Sequence, residues 1–215
     1  MQMLYPHDVS IQHYINRVQE AEEVDRCCPA ECPQCEAKER MKAHGFYSRT
    51  IVDDDFDGEI RILRYLCGAC RRTVSLLPGW ALPYLRHSVA WIGKIVTARL
   101  MAKAAWKDAA PGASYQRGQH WVQRFKKQAL AISLALAALT APMAAPDFEF
   151  RALQMLAKTG WAGAHRFLFG SLRMHLLGWP PSLAPAGRRF SLNAAGTGKT
   201  PALHNTCMES AEPSG

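Results

Sequence analysis

The stretch that decides the fold contains two matched cysteine motifs, Cys32-Pro33-Gln34-Cys35 and Cys67-Gly68-Ala69-Cys70. Two residues between the cysteines of a motif let both sulfur atoms point at one ion. Two such motifs supply the four thiolates that a tetrahedral Zn²⁺ accepts. The 31 residues between the motifs can form a β-hairpin that returns the second motif to the first. The sequence therefore predicts a zinc ribbon whose structural Zn²⁺ is bound by Cys32, Cys35, Cys67 and Cys70.

Other potential ligands lie close to the first motif. Cys27 and Cys28 precede it and His44 follows it, so each could replace one of the four cysteines. The simpler interpretation is that the two cysteines are spare thiols and that His44 is a surface residue of a strand. Residues 1–10 have neither the basic start nor the apolar core of a signal peptide. A reducing, cytoplasmic location is therefore expected, and it favours metal thiolates over disulfides.

Charge is distributed unevenly along the 215 residues, whose net charge is +8. Residues 1–60 carry 6 Lys and Arg against 13 Asp and Glu, whereas residues 61–127 carry 13 Lys and Arg against the single Asp108. So basic a block beside a zinc ribbon is typical of nucleic-acid binders. The alternative is a basic surface that only confers solubility.

The segment between the cysteine motifs has the pattern of a hairpin. Residues 42–52 are rich in β-branched and aromatic side chains, and residues 59–66 form the return strand. Residues 53–58 (Asp-Asp-Asp-Phe-Asp-Gly) are predicted to form the turn, because Asp and Gly accept the dihedral angles of a hairpin tip. Their carboxylates are interpreted as a solvated loop rather than a metal-binding cluster. A third strand is predicted at residues 72–77.

The segment after the ribbon has helical periodicity. Apolar residues recur at spacings of three and four over residues 87–101, and a shorter helix is predicted at residues 103–110. Pro111 and Gly112 break the chain, and Ser114 can cap a second long helix. A helix, a short helix, a tight turn and a further helix are the outline of a helix-turn-helix unit.

The last of these helices has two chemically different faces. Its apolar face is expected to pack on the preceding helices and consists of Gly118, Trp121, Val122, Phe125 and Ala129. Its polar, basic face suits a helix lying in a DNA major groove, with the first residues at base edges and the later ones at phosphates. The alternative is a face that is merely solvated. The predicted DNA-contacting residues are Tyr115, Gln116, Arg117, Gln119, His120, Arg124, Lys126 and Lys127.

The remaining segments carry weaker signals. The alanine-rich run at residues 129–141 is well short of the ~20 residues that cross a bilayer, so a buried helix extension or a self-association surface is predicted instead of a membrane span. Residues 196–200 resemble the end of a phosphate-binding loop, but the glycine that the motif needs is Asn193 here, so no nucleotide site is predicted.

The predicted fold class is α+β, with a small zinc-ribbon sheet followed by an all-α helix-turn-helix region and a poorly defined C-terminal part. The predicted organisation is an N-terminal helical lead-in on the surface (1–26), the zinc ribbon (27–80), the helix-turn-helix with an extended last helix (84–141), a small helical segment (147–190) and a disordered tail (191–215).

Three stretches resemble the head of bacterial insertion-sequence transposases. The first motif with His44-Gly45-Phe46-Tyr47-Ser48-Arg49, and the stretch from Ile62 to Pro78 around the second motif, resemble the zinc ribbons of these proteins. The stretch from Pro111 to Phe125 resembles the helix-turn-helix that follows. The chain is similar in particular to small stand-alone proteins of unknown function that share this ribbon and accompany mobile elements. The resemblance covers roughly residues 28–128.

The resemblance implies zinc at the four cysteines and double-stranded DNA, at a terminal repeat or promoter, as the partner in the bacterial nucleoid. It does not imply transposase chemistry, which needs three carboxylates around two metal ions. After residue 108 the only acids are Asp147, Glu149, Glu209 and Glu212. A non-enzymatic, transposase-like DNA-binding module is therefore expected, with RNA as an open alternative target. A second interpretation is a protein-interaction module that binds a transposase or a second copy through residues 129–141, and a third is an inactive, truncated transposase.

Overall fold

The structure, a computed structural model, describes residues 1–18, 20–109 and 112–178. These residues form a four-stranded sheet and seven α-helices, which confirms the α+β class. The strands are β1 (Gln2–Leu4), β2 (Lys42–Val52), β3 (Asp57–Leu66) and β4 (Thr73–Leu77), and the helices are α1 (Ile11–Arg17), α2 (Ala21–Arg26), α3 (Val89–Leu100), α4 (Trp106–Ala109), α5 (Tyr115–Leu136), α6 (Phe148–Thr159) and α7 (Trp161–His165).

The sheet has the strand order β1-β4-β3-β2. β2 and β3 form the predicted antiparallel hairpin, paired from Lys42 with Leu66 to Val52 with Asp57. The register shifts between Ala43 and Phe46, where Gly45 adopts a φ of +76°. Glycine takes this conformation without the clash that a Cβ atom would cause, so it suits the irregularity. The predicted third strand is β4.

The N-terminal segment differs from the surface lead-in predicted for residues 1–26. β1 pairs in parallel with β4, and Tyr5 and Tyr14 are completely buried. The acidic stretch that was expected to be solvated forms α2, and the Glu23 side chain is also completely buried. The prediction failed because the charge of Glu23 is matched by Arg17 and Arg26, which makes burial of a carboxylate possible.

Apolar residues form two separate cores, which divide the molecule into a sheet half (residues 1–81) and a helical half (the described part of residues 82–178). The sheet half packs β2, β3 and β4 against the N-terminal segment. In the helical half, α5 is the central element and packs against α3 and α6. The residues of α5 that were predicted to pack are all buried: Gly118, Trp121, Val122, Phe125 and Ala129.

Serine side chains begin the two long helices of the helical half. The Ser88 Oγ atom accepts a hydrogen bond from the Trp91 backbone N–H at 2.9 Å, and the Ser114 Oγ atom accepts one from Arg117 at 3.4 Å. Each bond satisfies a first-turn amide that has no partner within its helix. The cap predicted at Ser114 is therefore confirmed. α5 ends at Leu136, before the end of the apolar run.

The C-terminal part is more regular than expected up to residue 178. Asp147 caps α6, whose apolar residues enter the core of the helical half. Gly160, which has a φ of 75°, separates α6 from α7, which follows directly. A π-helical segment, Arg166–Ser171, continues the chain after α7. The tail predicted at residues 191–215 lies outside the described residues, as do residues 179–190.

The two halves are joined at the tip of the β2–β3 hairpin. The Val52 N–H donates to the Arg86 carbonyl at 2.7 Å, and the Ser88 hydroxyl donates to the Asp53 carboxylate at 2.8 Å. Lys94 of α3 forms an ion pair with Asp54. The acidic turn that was predicted to be solvated thus attaches the sheet to the first turns of α3. This contact fixes the start of the helices that follow.

Candidate metal centre and nucleic-acid interface

The four predicted ligands lie together at one end of the sheet half. The sulfur atoms of Cys32, Cys35, Cys67 and Cys70 all lie within 4.8 Å of one another. The Cys32 and Cys70 sulfurs are 3.8 Å apart, and the Cys35 and Cys67 sulfurs are 3.7 Å apart. A tetrahedral ion with Zn–S bonds of about 2.3 Å requires sulfur atoms about 3.8 Å apart, so the spacing fits such an ion.

Both motifs reach this position through the same backbone geometry. In the first, the Glu36 N–H donates to the Cys32 carbonyl at 2.8 Å, and Glu36 has a φ of 59°. In the second, the Arg71 N–H donates to the Cys67 carbonyl at 3.0 Å, and Arg71 has a φ of 58°. A left-handed residue directly after the second cysteine turns the chain back, so both sulfurs of each motif face the same point.

The electrostatics of the cluster favour a bound cation. Burial raises the pKa of the Cys32 thiol, but backbone hydrogen bonds from Gln34 and Cys35 outweigh it and lower this pKa to about 7. A backbone hydrogen bond from Ala37 lowers the pKa of Cys35, but desolvation and the neighbouring sulfurs raise it to about 12. One thiolate therefore opposes ionisation of the next. The four sulfurs can all be anionic only when a positive ion compensates their charge.

The alternative ligands do not join this cluster. The Cys27 thiol donates to the Glu23 carboxylate at 3.2 Å, and the Cys28 thiol donates to the Met41 carbonyl at 3.4 Å. His44 is exposed on β2. Among the described residues, the four-sulfur group contains only the cysteines of the two motifs, and it is compatible with a metal site.

The predicted DNA-contacting residues lie on α5, but they do not form one face. Gln116, Arg117, His120 and Lys127 are exposed on the side of the helix away from the core. Arg86, which precedes α3, is also exposed. Burial, together with the charges of Arg117 and Arg86, lowers the pKa of the buried His87 to about 4. Arg86 and Arg117 therefore both contribute positive potential at the buried His87.

Arg124 contacts the protein itself rather than projecting freely. Its Nε–H donates to the Leu177 carbonyl at 2.6 Å, and its guanidinium also donates to the Gly178 carbonyl. The side chain is half-buried, and desolvation lowers its pKa. The phosphate contact predicted for Arg124 stays a prediction, and two of its donor nitrogens already bind the last described turn. Helical periodicity could not reveal this partner, which lies 53 residues away along the chain.

Tyr115, Gln119 and Lys126 face a cavity of about 350 Å³ between α3, α4 and α5. The Lys126 ammonium also forms an ion pair with Glu149 at 3.2 Å. The other polar and aromatic residues of this cavity are Arg99, Trp106 and Gln123, none of which was predicted to belong to a site. The only sequence signal for them is a basic and aromatic composition on both sides of the Pro111-Gly112 pair.

The structure also contains a buried carboxylate that the sequence did not indicate. The two Glu23 oxygens accept hydrogen bonds from the Tyr5 hydroxyl, the Cys27 thiol and the Arg17 guanidinium, the last at 3.0 Å. Burial raises the pKa of Glu23, but these hydrogen bonds and the charge of Arg17 outweigh it and lower the pKa below its ordinary value. Two guanidinium groups, from Arg17 and Arg26, already neutralise this carboxylate. The arrangement therefore explains how the N-terminal segment is attached to α2.

Comparison with known proteins gives one match. A family described as a domain of unknown function (DUF6431) matches residues 32–113. This range is less than half of the chain; it includes both cysteine motifs, β2, β3, β4, α3 and α4, and it ends before α5. Neither the curated proteins nor the solved structures include a match. Within the described residues, every helix is too short or too polar to span a bilayer.

Proposed function

We propose that the protein is a zinc-dependent, non-catalytic DNA-binding protein, in which the sheet half supports the helices that bind DNA. The observation that carries the proposal is the exposed group Gln116, Arg117, His120 and Lys127 on α5. The opposite side of this helix is buried in the core, so the group is held rigidly. Arg and Gln are the side chains that recognise guanine and adenine edges with paired hydrogen bonds.

The ion that suits the metal centre best is Zn²⁺, because four thiolates at tetrahedral spacing are its common structural ligand set. Four protein ligands complete the coordination shell and leave no position for a reacting water molecule. We therefore assign the ion a structural role. It would stabilise the turns that hold β3 and β4, and through the hairpin tip it would support the start of α3.

The proposed biological setting is a mobile element of a bacterial genome. The resemblance of residues 28–128 to the heads of insertion-sequence transposases supports this setting, and the small number of acids after residue 108 argues against a transposase active site. The proposed target is a short double-stranded site, such as a terminal repeat or a promoter, in the nucleoid.

The proposal can be tested by selecting binding sites from a random duplex pool with zinc-loaded protein at several salt concentrations. Enrichment of one short site is expected, together with affinity that falls steeply with salt, because phosphate contacts release counterions. Chelation of zinc should weaken retention of DNA, because the sheet half would no longer support the start of α3. Tight zinc binding without retained DNA at low salt would contradict the proposal.

Two exposed residues of α5 separate base recognition from phosphate contact. Arg117→Ala should weaken binding to the selected site more than to random DNA, because it removes a side chain placed to reach base edges. Lys127→Ala should weaken binding to both DNAs alike. It should also lower the number of counterions released on binding, measured from the salt dependence of the affinity, by about one. Equal losses on both DNAs for Arg117→Ala would argue against base recognition at this residue.

A protein-interaction module is a second candidate, and an exposed apolar surface favours it. Leu130, Leu134 and Leu139, near the end of α5, expose 44%, 48% and 47% of their surface. A second copy of the chain could cover these residues, leaving the first turns of α5 accessible. Sedimentation equilibrium of the wild type and of Leu134→Glu tests this candidate. A dimer that the substitution dissociates would support it, and a monomer at high concentration would exclude self-association through this surface.

A further inference from the structure

The cavity beside α5 has a definite chemical character. It lies between the last turn of α3, the short α4 and the first half of α5, and Leu100 and Val122 supply its apolar lining. Its volume of about 350 Å³ is near the lower end of the range for small-molecule sites, ~300–1,000 Å³. A single planar group fits such a space better than an extended peptide.

Planar side chains lie on one side of this cavity. The Arg99 guanidinium lies over the Trp106 ring, 4.3 Å from its centre, and it also donates to the Ala104 carbonyl. The Tyr115 ring meets Trp106 edge to face, with the ring centres 5.2 Å apart. These contacts hold the three groups in place before any ligand arrives. Tyr115 nevertheless exposes 54% of its surface, so much of its ring is available for stacking.

Polar side chains line the same cavity beside these planar groups. Gln119 and Gln123 are both exposed and are separated by one turn of α5, so their amides lie on the same side of the helix. An amide offers both a donor and an acceptor, which is what the edge of a nucleobase requires. Arg99 and Lys126 add positive charge to the same cavity.

We propose that this cavity receives one unpaired nucleobase of the bound nucleic acid, an inference that rests on the proposed function. The base would stack on the Tyr115 ring. The amides of Gln119 and Gln123 would contact the edge of the base, and the charges of Arg99 and Lys126 would face the adjacent phosphates. Unpaired bases are recognised in proteins by aromatic and guanidinium planes together with hydrogen bonds to their edges. The cavity borders the exposed residues Gln116 and Lys127 on the same helix, so one nucleic acid can contact both.

The test compares two probes with the zinc-loaded, full-length protein. The first is the duplex selected above, and the second is the same duplex with one extra, unpaired adenine at each position in turn. The wild type should bind the best of these bulged probes about tenfold or more tightly than the fully paired duplex, because stacking one base contributes that much. Tyr115→Ala should bring this ratio close to one, and Tyr115→Phe should retain it because the phenyl ring still stacks.

Lys127→Ala is the matched control, because it lies on α5 outside the cavity. It should lower the affinity for both probes and leave their ratio unchanged. Retained zinc and an unchanged circular dichroism spectrum would show that each variant is folded. A ratio that Tyr115→Ala does not change would overturn the inference.

The outcomes also separate the inference from the proposed function. Binding to the paired duplex with no preference for any bulged probe would overturn the inference alone. Binding to a bulged probe with no binding to the fully paired duplex would overturn duplex recognition but support the cavity. Binding to neither kind of probe would overturn both.

Discussion

The sheet half and the helical half are organised around different kinds of interaction. The sheet half contains a cluster of four thiols and a buried, hydrogen-bonded carboxylate. The helical half instead centres on Phe125, Ile132 and Leu136 of α5, which are completely buried, and the titratable groups buried in its described part are histidines. The stability of the sheet half depends on compensating the charges of its two clusters of ionisable groups. The stability of the helical half depends on close packing of apolar side chains. The two halves should therefore respond differently to metal removal, core truncation and acid.

The largest expected effect is loss of the metal. Cys67→Ser, or chelation, removes a ligand set whose zinc affinity in small folds is on the order of 10 kcal/mol. The sheet half should unfold, because it loses the ion that compensates four clustered sulfurs. The helical half should keep most of its structure because its core lies elsewhere. Hydrogen exchange of the β3 and α6 amides checks this: exchange should become fast in β3 and remain slow in α6.

The control for this experiment is Cys28→Ser. Its thiol only donates to backbone carbonyls, Met41 among them, so a serine hydroxyl can replace it. The variant should bind one zinc ion and exchange like the wild type. If Cys67→Ser also retained its zinc and its slow β3 exchange, the division of the molecule by metal dependence would be wrong.

Truncation of the helical core should have the next largest effect. Phe125→Ala removes a completely buried ring at the centre of α5 and should reduce the free energy of unfolding by about 3–5 kcal/mol, through lost burial and a remaining cavity. Urea denaturation of the zinc-loaded protein measures this. The expected hydrogen-exchange pattern is the reverse of the previous one, with faster exchange in α6 than in β3.

Leu134→Ala is the matched control, since this leucine is on the same helix but is 48% exposed. Its cost should stay within about 0.5 kcal/mol, as is usual for surface positions. A larger loss at high protein concentration would indicate that a second molecule covers Leu134. An equally small loss for Phe125→Ala would contradict the assignment of this ring to the core.

Acid should weaken the helical half over a defined pH range. Burial lowers the pKa of His165 to about 3, and burial also lowers the pKa of His175 to about 4, although a hydrogen bond to the Pro83 carbonyl opposes it. The Leu177 N–H donates to the Nδ1 atom of His175 at 3.0 Å, so a proton on Nδ1 would break this bond.

The direction of the pH effect follows from these lowered values. An unfolded histidine binds a proton near pH 6.5, so the unfolded state binds protons first as the pH falls. Stability is complete above about pH 6.5 and is lost progressively towards pH 4, by about 2 kcal/mol for each histidine at pH 5. The pKa of Glu23 is lowered, so the stability that this carboxylate contributes is lost only when the pH falls below the ordinary pKa of a carboxyl group.

The unfolding free energy is measured at several pH values between 7 and 5 from the hydrogen exchange of the α6 amides. Because α6 lies in the helical half, acid release of zinc from the sheet half does not interfere with this readout. His165→Leu should reduce the pH dependence by about a third, whatever its effect at pH 7, because His175 and His87, whose pKa values are also lowered to about 4, remain. An unchanged pH dependence in this variant would show that His165 is not buried in its neutral form.

Features encoded over short distances in the sequence were predicted well. Two residues between cysteines specify a turn that brings both sulfurs to one point, and the Ser114 cap and the apolar face of α5 follow from helical geometry within a few residues. The match between predicted and observed strands has the same origin, because alternation and a turn signal are local.

Features that depend on distant partners were missed. β1 has only three residues and pairs in parallel with β4, more than 70 residues later. The burial of Glu23 depends on a fold that brings Tyr5 to it, and the role of Arg124 depends on carbonyls at the end of the described chain. A buried charge and an exposed one look alike in sequence, since only the fold supplies the compensating donors. The sequence also did not predict which polar residues of α5 line the cavity and which lie on the outer face, because the cavity depends on how α3 and α4 pack beside α5.

The smallest expected effect concerns the left-handed residues that follow each motif. Arg71 is exposed and has a φ of 58°, a conformation that side chains with a Cβ atom adopt at a cost. Arg71→Gly should stabilise the zinc-loaded protein by about 0.5 kcal/mol, because relief of this cost exceeds the added flexibility of the unfolded chain. Arg71→Ala should give no gain, since alanine meets the same restriction. Guanidinium denaturation measures both, and exchange in β3 should slow in proportion. In chelated protein, where the sheet half is expected to be unfolded, Arg71→Gly should not raise the free energy of unfolding of the helical half. An increase there would mean that this turn persists without metal and that the ion does not organise the sheet half.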